Sequence, residues 1–399
     1  MTISGLDVRE IPDSRGEPTV EVILRGGGGE FFAQVPSGKS RGMNEAAVVS
    51  PERAKKVLRE EVLPGMAKKD YPTLAALDEA LIALDGTPSK TKIGGNLILG
   101  VSVAFSRALA SEKSVEPWEV LKEEFFPRAE APPPLIFSNL INGGAHAKNN
   151  LDIQEYMVVA GSEGGMEAAI QKLARFYEAL GEELRTAGEG RRDVPLGDEG
   201  GYAPDLEDNA APIALLDALI RREGLEKEFR LGLDAAASSF YKDGAYRFEG
   251  KKLSSSELLE TYRRYFGMSE LLYSVEDPFA ETDYDGFGKF HSEFSGKLSV
   301  GDDLTVTNET LIRKFAGGGM INGVIIKPNQ IGTLTETCRA IKAAHELGVK
   351  TIVSHRSGET MDPFIIYVAR ASGAYGVKIG APKQKERLAK FEELVRLYG

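Results

Sequence analysis

Asp234, Glu276, Asp302, Lys327, His355 and Lys378 recur along the chain at intervals of 42, 26, 25, 28 and 23 residues. Each belongs to a short apolar run, in order LGLDAA, LLYSVED, KLSVGDD, GVIIKPN, KTIVSHRS and GVKIGAP. Five of the six stand where the run gives way to a polar turn, and Lys378 lies inside its run. If Asp234, Glu276 and Asp302 sit side by side, three carboxylates repel unless a cation joins them. An all-oxygen set with open positions suits a hard ion, Mg²⁺ or Mn²⁺. The plainer reading of any one of them is a salt-bridged rim carboxylate. Lys327 acts as a base only when neutral, and nearby cations such as Lys378, Arg356 and a bound metal push it that way.

The remaining candidates lie outside these runs or directly beside them. Glu155 in DIQEY and Glu199 in GDEGG are candidate acids, with a barrel salt bridge as the alternative for Glu155. His355, Arg356 and Ser357 in SHRSGET form a compact anion-binding cluster, since the guanidinium fork and a hydroxyl suit phosphate. His146 occupies the glycine-rich NGGAHA loop, whereas His291 and His345 fall in helical surroundings and read as structural. Taken together, a metal for a carboxylate, a cationic site for a phosphate and a lysine facing an acid describe one reaction class. It is metal-assisted proton abstraction alpha to a carboxylate, followed by loss of a leaving group.

The elements that must position these groups follow from the spacing. After the first interval, each fits one strand, one helix and two short loops. Two-sided apolar strands in repeated strand–helix units imply a parallel sheet, and six in succession imply a closed barrel. In such barrels the C-terminal strand ends carry the chemistry. Upstream, TVEVIL and EFFAQV flank Gly26 to Gly29 and predict a hairpin over 19–35. The VPSGKSRG stretch that follows is either a surface linker or a mobile lid. Ser50, Pro51 and Glu52 open a helix that Pro64 is expected to end. Two further helices are expected at 73–84 and 93–113. The second is apolar nearly all round and should be sandwiched between domains. Three prolines at 132–134 mark the boundary between a domain over 1–130 and a barrel over 131–399. Two strand-like runs, PLIFSNLIN and LDIQEYMVVA, open the barrel, helices follow over 163–187 and near 208–222, and a helix closes the chain.

Bulk properties narrow the function class. The 399 residues carry 49 basic and 60 acidic side chains, a net charge of −11, which argues against general nucleic-acid affinity. The single cysteine, Cys338, excludes an internal disulfide and a cysteine metal site, and reads as a buried helix thiol. Four histidines without paired spacing argue against zinc. No run is long enough to span a membrane, and with no signal sequence the expected location is the cytoplasm.

The segments DSRGEPTVEV, VPSG, NGGAHA, IQEYM, GDEGGYAP, VEDPFAETDYDG, GDDLTVTN, NQIGTLTET, SHRSGET and KIGAP resemble the enolase family, in its order and over nearly the whole chain. The resemblance implies an enolase-type (β/α)8 barrel that begins ββαα, capped by a smaller α+β N-terminal domain. It also implies interconversion of 2-phosphoglycerate and phosphoenolpyruvate with two Mg²⁺ per site. By that resemblance Lys327 takes the C2 proton and Glu199 protonates the departing C3 hydroxyl, with Glu155 assisting. Asp234, Glu276 and Asp302 hold the first Mg²⁺, and Ser37 helps bind the second together with the phosphate. Arg356 and Ser357 grip the phosphate and Lys378 the carboxylate, while His146 and His355 approach as loops close. A homodimer or ring of dimers is implied, with the segment near Arg15 close to the interface. The alternatives are a dehydratase of a related phosphorylated or phosphonate acid and a non-catalytic binding protein. The chain departs from the family pattern at Lys39 and Arg41, where SGKSR replaces the usual SGAST. It also departs at AAVVS after Glu45, at Lys148, and at Pro328 directly after the lysine base.

Overall fold

The computed structural model describes residues 1–39, 42–187 and 193–399. Arg41, one of the departures named above, lies outside the described residues. The N-terminal unit is an antiparallel sheet of β1 (Ile3–Pro12), β2 (Pro18–Gly26) and β3 (Gly29–Val35). The expected hairpin is β2–β3, whose register closes at the pair Gly26 and Gly29. Gly27 and Gly28, at φ +57° and +82°, supply the left-handed backbone that a two-residue hairpin turn requires. β1 was not expected. Its GLDVREI alternation pairs along almost the full length of β2.

The helix beginning at Pro51 does not stop at Pro64. It widens into a π turn over Leu58–Val62, then continues through Leu63–Met66. The Leu63 amide donates to the Leu58 carbonyl, five residues back. Pro64 follows that wide turn and stands in the first positions of the next one, where its missing N–H costs little. Helices Leu74–Asp85 and Gly95–Lys113 form as expected. Fifteen residues of Gly95–Lys113 are buried, because it packs on β2 and β3 and also meets the barrel helix Leu334–Glu346. A Cβ on Gly100 would lie 2.4 Å from a Val22 methyl, so only glycine allows this approach. Residues 126–134 carry no helix or strand and lead into the barrel.

The barrel closes from eight strands: β4 (Leu135–Asn142), β5 (Glu155–Ala160), β6 (Phe229–Asp234), β7 (Leu272–Glu276), β8 (Leu298–Gly301), β9 (Gly323–Ile326), β10 (Lys350–Ser354) and β11 (Gly376–Ile379). Around the wall the order is β7, β8, β9, β10, β11, β4, β5, β6. β5 runs antiparallel to both neighbours and every other pair is parallel. Helices Met166–Ala187 and Ala211–Arg222 come after β5, so the barrel opens ββαα. The long first interval, from Asp234 to Glu276, holds an added three-stranded sheet over residues 241–253.

Phe137, Met157, Val159, Leu298, Val300, Ile325 and Ile352 fill the barrel interior as a separate buried cluster. A larger apolar shell lies between strands and helices and runs on into the N-terminal unit. Fully burying each such side chain contributes about 1.5–3 kcal/mol, and the plugged interior leaves only the rim free for chemistry. Cys338 is buried within Leu334–Glu346, and burial pushes its thiol well above the ordinary range. No described helix is long and apolar enough to cross a membrane.

Candidate active site

β6 and β7 end on Asp234 and Glu276, while Asp302, Lys327 and His355 directly follow β8, β9 and β10. These strands are parallel, so all five side chains reach one rim. Glu155 opens the antiparallel β5 and therefore meets the same rim from its N-terminal end. In the wall order β5 lies four strands from β9, so Glu155 and Lys327 stand on opposite sides. One cavity is lined by Lys327, Glu155, Glu199, Asp234, Asp302, His146, His355, Arg356, Ser357 and Lys378.

The carboxylates are arranged around lysines. Lys378 Nζ lies 2.7 Å from Glu276 Oε2, 3.0 Å from Asp234 Oδ2 and 3.0 Å from Glu155 Oε2. Burial disfavours its charge, but Asp234, Glu155 and Glu276 outweigh that and push Lys378 well above the ordinary lysine range. Glu155 and Glu276 are pushed well up in turn, by burial first and then by neighbouring carboxylates. Lys327 Nζ pairs directly with Asp302 Oδ2. Burial is the largest influence and lowers the lysine, as do Arg356 and Lys378, but Asp302 with the help of Glu276 and its other partners holds Lys327 above its usual value. The sequence pointed to a neutral lysine. Arg356 and Lys378 do act in that direction, and the paired Asp302 carboxylate acts against them.

Asp234, Glu276 and Asp302 do not share one ligand shell here, because Lys378 takes the first two and Lys327 the third. Their chemistry nevertheless fits a hard cation. Glu276 Oε1 is buried without a hydrogen-bond partner, and the set already draws two ammonium groups into contact. Among the described residues, two tighter groups of potential ligands are His146–Glu155–Glu199 and Asp277–Asp302–Asp303. Asp277 accepts from the Asp302 and Asp303 amides at 3.0 and 2.8 Å. Burial and the crowding of acids raise Asp277 well above its ordinary value and Asp303 to about 8.

Glu199 rides on a loop pinned to the end of β4, where Tyr202 N–H donates to the Leu140 carbonyl and Asn142 N–H to the Tyr202 carbonyl. Asn139 Nδ2 donates to Glu199 Oε2 at 2.8 Å. His146 Nδ1 lies 3.4 Å and His355 Nε2 3.6 Å from Glu199 Oε1. His355 Nδ1 accepts from the Gly380 amide at 3.2 Å, which places the ring proton of the neutral form on Nε2, facing Glu199. Burial holds His146 low and His355 well below the usual histidine range. Burial favours a proton on Glu199, but His355, His146, Arg387 and Lys378 together bring it below the carboxylate range. Glu199 is therefore the ionised member of this group, beside two imidazoles held low.

Arg356 meets Glu45 Oε2 at 3.1 and 3.2 Å and Asn329 Oδ1 at 3.1 Å. Ser357 Oγ accepts from the Lys39 amide at 3.0 Å. Ser37 does not line the central cavity. It lies in an adjoining groove, where its hydroxyl donates to Asp13 and accepts from Arg15 at 2.8 Å. A one-pair bridge between Ser37 and Gly358 ties the VPSG loop to the SHRSG turn, and a Cβ on Gly38 would collide with Arg356. Lys39 Nζ reaches Asp198 Oδ2 at 2.9 Å, beside Glu199, whereas Lys148 is exposed and outside the cavity. Pro328 heads the one-turn helix Pro328–Ile331 directly after Lys327.

Sequence reasoning missed Glu45, Gln154, Asp277 and Asp303, which line the cavity, and Gln330, which bonds Asp302. The doubled acids in VED and GDD were a usable signal for Asp277 and Asp303. Glu45 carried none, because a contact between domains brings it in, and Gln330 carried none, because its bond to Asp302 joins two successive strand-end turns.

Two family models match the chain, "Enolase, N-terminal domain" over residues 3–121 and "Enolase, C-terminal TIM barrel domain" over residues 131–398. Three curated relatives, each named Enolase, align over 99% of this chain and 94% of their own length. They come from Natranaerobius thermophilus at 37% identity, Anaplasma phagocytophilum at 38% and Acidothermus cellulolyticus at 38%.

Proposed function

The chain belongs to the enolase family, the hydro-lyases called phosphopyruvate hydratases, and from that premise we propose that it interconverts 2-phosphoglycerate and phosphoenolpyruvate with Lys327 as base. The observation that supports this best is the shared cavity, in which Lys327 stands across the barrel from Glu155 and the Glu199–His146–His355 group lines the same space. Lys327 Nζ takes the C2 proton. The electron pair left on C2 forms the C2–C3 double bond as the C3–O bond breaks. Glu199 supplies the proton that lets the hydroxyl leave as water, and Glu155 assists. Glu199 must first gain that proton, and His146 and His355 are the neighbours placed to pass one to it.

Arg356 and Ser357 hold the phosphate, and Lys378 orients the carboxylate. Asp234, Glu276 and Asp302 would hold one Mg²⁺, and Ser37 would help hold a second. Bound there, Mg²⁺ neutralises the substrate carboxylate, whose charge rises as the C2 proton leaves. For Lys327 to accept that proton it must be neutral, so Asp302 must be drawn off it, leaving Arg356 and Lys378 as the cations that favour the neutral amine. We place the division between the capping domain and the barrel at residues 130 and 131. The working form is a cytoplasmic homodimer or larger homo-oligomer in glycolysis or gluconeogenesis.

The test is direct. Purified protein is mixed with 2-phosphoglycerate and Mg²⁺, and the ultraviolet absorbance of the phosphoenolpyruvate double bond is followed. Turnover that needs Mg²⁺ and disappears in Lys327→Ala supports the reading. An inactive wild-type protein that still binds Mg²⁺ sinks it.

A further inference from the structure

The turn after β8 holds two consecutive β-branched residues in the left-handed region, Val306 at φ +42° and Thr307 at φ +57°. Both are fully buried. For such side chains this conformation is a true outlier, costing roughly 1–3 kcal/mol each, and it persists only where the surroundings over-determine it. Ala236 at +43° and Asp277 at +40° follow Asp234 and Glu276 in the same conformation, so all three metal-candidate carboxylates are trailed by strained backbone.

What over-determines the third turn is a hydroxyl. Thr307 Oγ1 accepts from the Lys327 amide at 2.8 Å and donates to Gln330 Oε1 at 2.7 Å. Gln330 is 1% exposed. Its Nε2 donates to Asp302 Oδ1 at 2.9 Å and to Glu45 Oε1 at 3.3 Å. Its amide donates to the Lys327 carbonyl at 2.9 Å, and its carbonyl accepts from the Ala46 amide at 2.8 Å. The peptide of Lys327 is thus bonded on both sides, by the Thr307 hydroxyl and the Gln330 amide, and the Gln330 side chain that the hydroxyl holds reaches the carboxylate facing the Lys327 ammonium. A valine would fill the volume of Thr307, so packing alone does not call for the hydroxyl.

We propose that Thr307 and Gln330 are positioning residues that hold Lys327 and Asp302 in register, and that the strained turn persists because it sets Thr307 Oγ1 between them. The proposal rests on Lys327 being the base of the reaction proposed above. Neither residue touches substrate. Thr307 acts through the Lys327 amide and the Gln330 side chain, and Gln330 through the Lys327 carbonyl and the oxygen of Asp302.

Thr307→Val removes the hydroxyl at nearly constant volume, and Thr307→Ser restores it. Expected for Thr307→Val is a fall in kcat of about a hundredfold, the scale set by a misplacement near 1 Å. KM for 2-phosphoglycerate should change by less than about threefold, as for an interaction made in the transition state. Thr307→Ser should stay within about threefold of wild type in both constants. Unchanged kcat in Thr307→Val, a rise in KM alone, or equal losses in the two variants would overturn the proposal. If Thr307→Val does not fold, Gln330→Met, which removes both the acceptor for Thr307 and the donor to Asp302, is read against the same limits on kcat and KM. If the wild-type protein has no turnover, the proposed reaction fails, and amide hydrogen exchange over residues 323–331 decides the anchoring instead. Exchange at least about tenfold faster in Thr307→Val, with protection elsewhere intact, supports it. Unchanged exchange overturns it.

Discussion

The ammonium of Lys378 lies 2.7 Å from Oε2 of Glu276, with each side chain only 2% exposed. Asp234 and Glu155 share the same cation. This lysine offsets the repulsion that the buried carboxylates would otherwise bring to the barrel rim.

Lys378→Met should therefore destabilise the metal-free protein by about 3–5 kcal/mol, since it strands buried charge without a partner. Mg²⁺ should recover more stability in this variant than in wild type, because the ion then meets carboxylates with no competing ammonium. Thermal unfolding of both proteins with EDTA and with excess Mg²⁺ measures this. Equal Mg²⁺-dependent shifts in Tm would count against it.

Asp78 lies fully buried on the helix Leu74–Asp85 and accepts from the Thr335 amide of the barrel at 2.9 Å. Burial raises its carboxyl from the ordinary 3.8 to about 7. Folding thus retains a proton that the unfolded chain gives up, so this group makes stability fall as pH rises through that window. At ~1.4 kcal/mol per pH unit the loss approaches about 4 kcal/mol by pH 8. Asp78→Asn keeps an acceptor for Thr335 and removes the titration. It should raise Tm relative to wild type at pH 8 and leave it nearly unchanged at pH 4. A gain that does not depend on pH would refute the assignment.

Lys39 and Asp198 form a partly exposed pair that links the VPSG loop to the loop of Glu199. Solvent screening limits its effect on stability to less than about 1 kcal/mol. Lys39→Ala should leave Tm almost unchanged and raise KM for 2-phosphoglycerate more than it lowers kcat. Steady-state kinetics at low and high salt checks this, since the wild-type KM should approach that of the variant as salt increases.

A Cβ at position 38 would lie 1.7 Å from Arg356 Nη2. Gly38→Ala must therefore displace either the loop or the guanidinium that meets Glu45. We expect a loss of kcat/KM of at least about tenfold with little change in Tm, because the loop lies at the cavity edge rather than in the core. Wild-type kinetics in this variant would rule out a fixed place for Arg356.

Much of the barrel was legible because its constraints are local. A strand that leaves the core must end in a polar turn, so the spacing of LGLDAA through GVKIGAP marked both the strands and the residues at their ends. The wide turn before Pro64 was not legible, because the extra residue it absorbs leaves no mark on the apolar spacing. β1 was missed for a related reason. Its exposed positions carry charge on a strand whose pairing with β2 gives it its place.

Taken alone, the sequence determined which ionisable groups reach the rim, because alternation and strand length fix where each run stops. The pairing of those groups was decided only by the tertiary structure. Lys378 lies between Asp234, Glu276 and Glu155 because closing the barrel sets β11 within reach of β5, β6 and β7. Lys327 is charged against Asp302 because neighbouring parallel strands bring consecutive rim positions together. Glu45 and Asp78 acquire their contacts across the junction between the capping domain and the barrel, and Gln330 joins Asp302 within the barrel to Glu45 across it. The physical reason is range: side-chain periodicity acts over a few residues, whereas charge and hydrogen bonding act over a few ångströms, and only folding makes those neighbourhoods the same.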